Sequence, residues 1–352
     1  MKRIIINILK FGFVAGILYY LIASDRLNFE RLLLFWENPS VLITMVGLLV
    51  FWIVPLAALR WWFLLRAIGL EVPLTRASLL TWIGNFFNTT LPGAVSGDVI
   101  KGYYIIRSQE KEGKTRAFTT LLIDRFVGLF GLIVMAFFAL IFNLNWILSK
   151  PALASLAGMI GGLFAGTVIF YAIVLYPFKE GKDPFLRLFK KLPGHSITVK
   201  VYLAFKSFQH QKPTLLITLL MSIVLHITVA FLFFLVAQMI EVSDLNIFTQ
   251  FFIMPIGLIT IAIPVAPGGV GVGHVAFESL YKLVGISGGA DIFNLYVIIQ
   301  LAVYLLGGIP YLIHSGEYHI PQENEIGMEE QETEAEDKVG EEPTNQENAS
   351  TA

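Results

Sequence analysis

LPGAVSGDVIKGYY, residues 91–104, interrupts an apolar chain with Pro92, Gly93 and Gly97, then places Asp98 and Lys101 three residues apart. Proline removes a helical N–H and glycine loses the most backbone freedom on ordering, so a helix arriving at Leu91 stops there. A second stretch, APGGVGVGHVAFES at residues 266–279, repeats the device with Pro267, Gly268, Gly269 and Gly271. Pro92-Gly93-Ala94-Val95 aligns with Pro267-Gly268-Gly269-Val270, and both breaks run through small residues to a polar one, Asp98 or His274.

The chain around these breaks suits hydrocarbon rather than water. Of 352 residues, 56% are hydrophobic and 14% charged, with a mean hydropathy of +0.71. A soluble domain carries about 25% charged residues. Six stretches are long and apolar enough to cross a ~30 Å hydrocarbon core: about 4–23, 41–60, 118–142, 152–176, 214–240 and 292–314. The first, Ile4 to Ala23, exceeds the apolar part of a signal peptide and reads as a retained span. Two further apolar segments, about 77–98 and 248–285, contain the breaks.

Charge sets the orientation. Basic residues gather at the amino terminus (Lys2, Arg3, Lys10), in 99–117 (Lys101, Arg107, Lys111, Lys114, Arg116) and in 177–213, which has eight bases and two acids. All three fall on the cytoplasmic side if the six unbroken stretches cross and the two broken ones re-enter. Both termini are then cytoplasmic. Each broken segment follows the second span of a three-span half, about 1–142 or 152–316, and the halves have opposite topology. The sequence therefore predicts an all-α polytopic integral membrane protein with about six full transmembrane helices, two Pro/Gly-broken re-entrant segments and an inverted repeat, an architecture of secondary transporters. The plainer alternative is two Pro-kinked spans. Non-helical backbone at membrane depth needs protein or a water-filled cavity around it, so facing breaks imply a shared polar cavity near the midplane.

Residues 321–352 hold eleven acids and one base, Lys338, so 317–352 is expected to be a disordered acidic tail. With no cysteine, disulfides and thiolate metal sites are excluded. DPFLRLFKKLPG, inside the basic 177–213 loop, reads as an amphipathic surface helix on anionic lipid. Gly158, Gly162 and Gly166, preceded by Ala154, form a small-residue stripe suited to helix packing.

The candidate substrate-binding residues are Asn85, Asn88, Asp98, Lys101, Asp124, Arg125, His274 and Glu278. Asp124 and Arg125 sit in LLIDRFVGLFGLIV, where a charge costs about 2.5–3.5 kcal/mol on insertion and usually marks function. They can hold substrate or neutralise neighbours. Arg is the natural clamp for phosphate because its planar fork makes two parallel bonds. Asn85, Asn88, Thr89 and Thr90 can bond a headgroup or cap a broken helix. Asp98 and Lys101 share a helix face, as do His274 and Glu278. Arg60 and Arg66, beside Trp61 and Trp62, look like interfacial anchors at the inner end of the second span. His274 and Glu278 lack the spacing of a metal motif, and Gly113-Lys114-Thr115 is preceded by Ser108 where a phosphate-binding loop needs glycine. No metal, nucleotide or other cofactor is expected.

GNFFNTTLPGAVSGDVIKGYY, LLIDRFVG and APGGVGVGHVAFESLYKLVGIS, in that order, resemble the lysylphosphatidylglycerol synthase transmembrane (flippase-like) family, over about residues 1–315. That family includes the membrane domain of the bacterial multiple peptide resistance factor and many stand-alone inner-membrane proteins. The resemblance implies two re-entrant helices around a central cavity. The family's PG-x-x-G-[DE]-x-x-R pattern falls on Pro92, Gly93, Gly97, Asp98 and Lys101, with Lys where Arg is usual. Its acidic residue after PGG-x-G falls on or next to His274, and its Asp/Glu-Arg pair matches Asp124 and Arg125. Members that make the aminoacylated lipid carry a soluble aminoacyl-transferase domain after the membrane part. Here the sequence runs into an acidic segment, so synthase activity is not expected. The expected function is translocation of a phospholipid or polyprenyl-phosphate-linked lipid across the bacterial cytoplasmic membrane, down a gradient or coupled to an ion. The rivals are a membrane-embedded headgroup-modifying enzyme and a lipid-binding scaffold. The expected partners are membrane lipids with a phosphate headgroup, not nucleic acid, and a homo-oligomer stays open.

Overall fold

The computed structural model describes residues 30–90, 96–106, 111–178, 182–191, 195–242, 245–262 and 272–314. Every regular element among them is helical. Pro92, Gly93, Pro267, Gly268, Gly269 and Gly271, the stretch at 4–23 and the acidic tail lie outside the described residues. The chain divides after Ile313; of the second unit only His314 is described.

Five helices are long and apolar enough to cross a membrane: Pro39–Ala67, Thr115–Phe142, Pro151–Val174, Lys212–Met239 and Gly289–Ile313. They coincide with five of the six expected spans, and the protein is a polytopic helical membrane protein. We name the helices in chain order: α1 (Pro39–Ala67), α2 (Leu74–Thr90), α3 (Ser96–Ile106), α4 (Lys111–Phe142), α5 (Pro151–Val174), α6 (Pro184–Phe189), α7 (His195–Lys206), α8 (Lys212–Met239), α9 (Ile247–Ala262), α10 (Val272–Leu283), α11 (Gly289–Leu305) and α12 (Gly308–Ile313). Pro55 cannot donate into the helix, and α1 carries a π-helical turn at Leu49–Ile53 immediately before it. Gly69, at φ +80°, turns the chain out of α1 in the left-handed region that glycine enters without strain.

On either side of each break the helices fold back on one another. A Cβ at Gly97 of α3 would lie 1.9 Å from the Gly84 carbonyl oxygen of α2, so two glycines let the backbones touch. In the second hairpin, a Cβ at Gly257 of α9 would lie 2.4 Å from the Phe277 ring of α10. The start of the basic stretch at 99–117 belongs to helix α3 through Ile106, with Ile100, Lys101, Tyr103 and Tyr104 buried.

The two halves pack in a crossed, matching way. α4 lies against α9, and its counterpart α11 lies against α2. α1 meets α8, α1 with α4 is mirrored by α8 with α11, and α4 with α8 is mirrored by α11 with α1. Between them these contacts bury Met45, Leu49, Met135, Leu232, Phe233, Val236, Phe252, Phe277, Phe293 and Tyr296. α4 and α8 approach closely where Gly131 faces Ser222, whose Cβ lies 2.8 Å from a Cβ added there. Among the described residues, nothing lies within 4 Å of a Cβ added at Gly158, Gly162 or Gly166 of α5.

Within the basic segment between α5 and α8, the stretch expected to be an amphipathic helix contains α6. The segment's apolar side chains, Phe185, Leu186, Phe189, Tyr202, Phe205 and Phe208, pack with Leu64, Ile123, Val127, Val174 and Leu215 at the ends of the spans. A carboxylate latches this arm. Asp183 accepts from the Phe185 and Leu186 N–H groups (both 3.1 Å), from the Tyr202 hydroxyl (2.8 Å) and from Lys206. Burial pushes the Asp183 carboxyl up, but the Lys206, Leu186 and Tyr202 bonds and the Lys206 charge outweigh it and hold it below its usual value.

Two predictions follow from packing and charge. Gly131→Val should destabilise the protein by about 1–3 kcal/mol through overpacking, whereas Gly158→Ala should stabilise it by up to about 1 kcal/mol through helix propensity; thermal unfolding in detergent compares them. The folded Asp183 value lies below the unfolded one, so its contribution is fully present above the ordinary carboxylate range and disappears as pH falls through the lowered folded value. Hydrogen exchange in α6 and α7 should therefore stay protected down to about pH 4 and open below it. The Asp183→Asn variant should lack the protection at neutral pH as well.

Candidate functional site

Three helices bring five charged side chains together near one end of the bundle. Consecutive residues of α4 point to different partners. Asp124 takes both arms of the Arg60 fork from α1, Nε to Oδ1 at 2.8 Å and Nη2 to Oδ2 at 3.0 Å. Arg125 donates through Nε to Asp98 Oδ2 of α3. Asp98 is shared: its Oδ1 lies 3.6 Å from Lys101 Nζ. Lys101 Nζ also sits 4.2 Å from the centre of the Trp61 ring, a cation–π contact.

The first pair is closed and the second is not. The Arg60 side chain is 11% exposed and its Nη1 donates to Ser222 Oγ of α8 at 2.8 Å, tying three helices together. Beside it, His226 of α8 bonds the Gly128 carbonyl of α4 at 3.0 Å; a carbonyl only accepts, so Nε2 carries the proton. By contrast the Arg125 side chain is 38% exposed, while Lys101 at 8% is held in the hairpin. Gly84 makes room for it, because a Cβ there would lie 2.5 Å from Lys101 Cδ.

Asn88 caps: its Oδ1 accepts from the Gly97 N–H at 2.8 Å, satisfying a donor at the start of α3. Thr89 and Thr90 bond the Asn85 and Phe86 carbonyls of their own helix, and Asn85 is half-buried. The second half offers a His–Asn version of the same corner. His274 is the third residue of α10 as Asp98 is of α3, each preceded by a tightly packed glycine. His274 Nε2 lies 3.3 Å from Asn294 Oδ1 of α11, where Asp98 instead reaches Arg125 of α4. Glu278 accepts from the Ala290 N–H at the start of α11 at 3.1 Å and pairs with Lys282 at 3.0 Å. The bonds described at His274 and Glu278 thus stay within their own half. A cavity of about 460 Å³ lies between α9 and α10, lined by Thr260, Val272, Val275, Ala276 and Ser279. It is apolar, since the Thr260 and Ser279 hydroxyls bond carbonyls of their own helices.

Arg60, Trp61, Ser222 and His226 were not singled out as site residues from the sequence. Arg60, expected as an anchor at the end of the span, is ion-paired inside the bundle, and α1 continues to Ala67, about 10 Å beyond it. The apolar run WWFLL after Arg60 was the available signal that the helix runs on. Ser222 and His226, one turn apart in an otherwise apolar span, were a weaker one. Removing one partner of a buried ion pair strands the other, so Asp124→Ala should cost about 3–5 kcal/mol. The double variant Arg60→Met with Asp124→Leu should recover most of that loss; thermal unfolding of the purified proteins decides.

No curated protein and no solved structure matches the chain. A family model does, that of the lysylphosphatidylglycerol synthase TM region, over residues 7–310. That match takes in every described helix from α1 to α11 and both stretches that contain the breaks, and the chain belongs to the lysylphosphatidylglycerol synthase TM region family.

Proposed function

We propose that the protein translocates a lipid with a phosphate-bearing headgroup, a phospholipid or a polyprenyl-phosphate-linked lipid, across the cytoplasmic membrane, and that it is not itself an enzyme. Family membership supports a role at membrane lipids. The observation that carries the proposal is the sharing of Asp98 between Arg125 and Lys101, with Arg125 the most exposed of the five charged side chains. A phosphate oxyanion offers Arg125 and Lys101 what Asp98 offers them, with more acceptor oxygens. Asp98 is then a built-in competitor. It compensates the cations when no headgroup is bound and helps expel the headgroup afterwards. Arg60 and Asp124, with Ser222, hold the frame against which this exchange occurs.

The backbone arrangement favours movement of one half against the other. α3 has 11 residues, about 16 Å of helix, too short to cross a ~30 Å core, and it folds back along α2. We take both hairpins as re-entrant and the crossed packing of the halves as the product of an inverted repeat. Both termini are then cytoplasmic. The half-helix α3 directs its amino-terminal donors and partial positive charge toward the break, which suits an anion.

Liposomes with labelled lipids of several headgroup classes in the inner leaflet test this. The wild type should move phosphate-bearing lipids selectively, and Arg125→Ala should slow that movement about tenfold or more, the worth of one charge-assisted bond. Asp98→Asn should bind the headgroup more tightly yet turn over more slowly, because the competitor is gone. Movement no faster than in empty liposomes for every lipid, with and without an imposed ion gradient, would overturn translocation and favour a headgroup-modifying enzyme or a scaffold.

A further inference from the structure

The arm between α5 and α8 has no part in the proposed transport, yet it is a built object. It is fastened at both ends to spans, following Val174 and ending at Lys212, so it is held at the level of lipid headgroups. Its Phe185, Phe189, Tyr202, Phe205 and Phe208 side chains are committed to the bundle, as described above. Its one described carboxylate, Asp183, is buried and taken up by Lys206, Tyr202 and the start of α6. Lys182, Arg187, Lys190, Lys191 and Lys200 are exposed, together with the apolar Leu188 and Leu203.

We propose that this arm is a second lipid site: a preformed basic collar that holds anionic phospholipid headgroups of the bilayer around the protein. Three features argue for lipid over another occupant. The anchoring at both ends puts the collar beside the bilayer surface. The burial and internal use of Asp183 leave no carboxylate on the described outer face of the arm. The pairing of exposed lysines with Leu188 and Leu203 matches a surface that meets phosphates and the first carbons of acyl chains together. The latch separates this site from a loose run of lysines. By folding α6 and α7 against the spans, Asp183 sets the spacing of the basic side chains before lipid arrives, so the ordering cost is not levied on binding.

A pure charge-density effect and a built site give opposite signs for one variant. Asp183→Asn removes a negative charge, so density alone would strengthen anionic lipid binding, whereas loss of the latch weakens it. The experiment places the full chain in bilayers of phosphatidylcholine with graded phosphatidylglycerol. It reads the ratio of the two lipids retained on the protein by mass spectrometry and, in parallel, tryptic cleavage after Lys190 and Lys191. Wild type should enrich phosphatidylglycerol, which should in turn protect those lysines. Replacing Lys190, Lys191 and Lys200 by Gln should lower the enrichment by about fivefold per charge, roughly a hundredfold in all. Asp183→Asn should also lower it and expose the tryptic sites. Lys150→Gln, at the other end of α5, should change nothing, and Arg125→Ala should slow transport about tenfold or more while leaving the enrichment intact. Stronger enrichment in Asp183→Asn would overturn the built site. Unchanged enrichment in the triple Gln variant would overturn the collar altogether and leave the lysines to a protein partner.

Discussion

A charge inside hydrocarbon must meet its counter-charge in the protein, and here two such charges are neighbours on one helix. Residues one apart on a helix point about 100° apart, so Asp124 and Arg125 cannot share a partner and must recruit from different sides. Asp124 takes Arg60 of α1, which in turn takes Ser222 of α8; Arg125 takes Asp98 of α3. One dipeptide of α4 therefore ties the two spans behind it to the half-helix in front of it. Lys101 then fits only because Asp98 is already there and because Trp61, next to Arg60, presents its ring to the ammonium.

Close backbone approach is what lets these short bonds form. Without a hydrophobic drive between helices in lipid, packing and polar contacts have to hold the bundle, and both need small residues at the crossings. Gly84 and Gly97 close the first hairpin, Gly257 closes the second, Gly273 admits Phe293 of α11, and Gly131 admits α8 to the face of α4 that carries Gly128. The glycines of α5 do none of this among the described residues, and α5 lies outside the crossed pattern that relates α1–α4 to α8–α11.

That pattern makes the difference between the halves informative. The same corner, third residue of the inner helix to the following long helix, carries an Asp–Arg ion pair in one half and a His274–Asn294 contact in the other. Glu278, the only carboxylate on α10, is spent on the start of α11 and on Lys282.

Much of the fold could be read before any coordinates. Apolar runs of span length, the two Pro-Gly breaks and their alignment are one-dimensional signals, and a membrane sharpens them because every backbone polar group must be satisfied within the span. Asp124 and Arg125 were legible for the same reason, as charges where charge is costly. Their partners were not, because pairing depends on which helix faces lie opposite. Arg60 looked like an anchor at the end of a span until it proved to pair with Asp124, and Lys101, placed on one helix face with Asp98, proved also to fold against Gly84. Asn88 was equally suited to cap or to bind, and the 2.8 Å bond from Gly97 made it a cap. The sequence by itself determined the solvent this chain must live in, where its helices break and which buried charges need a partner. Only the tertiary structure decided who those partners are, since side chains 27 to 162 residues apart meet through packing that no local pattern encodes.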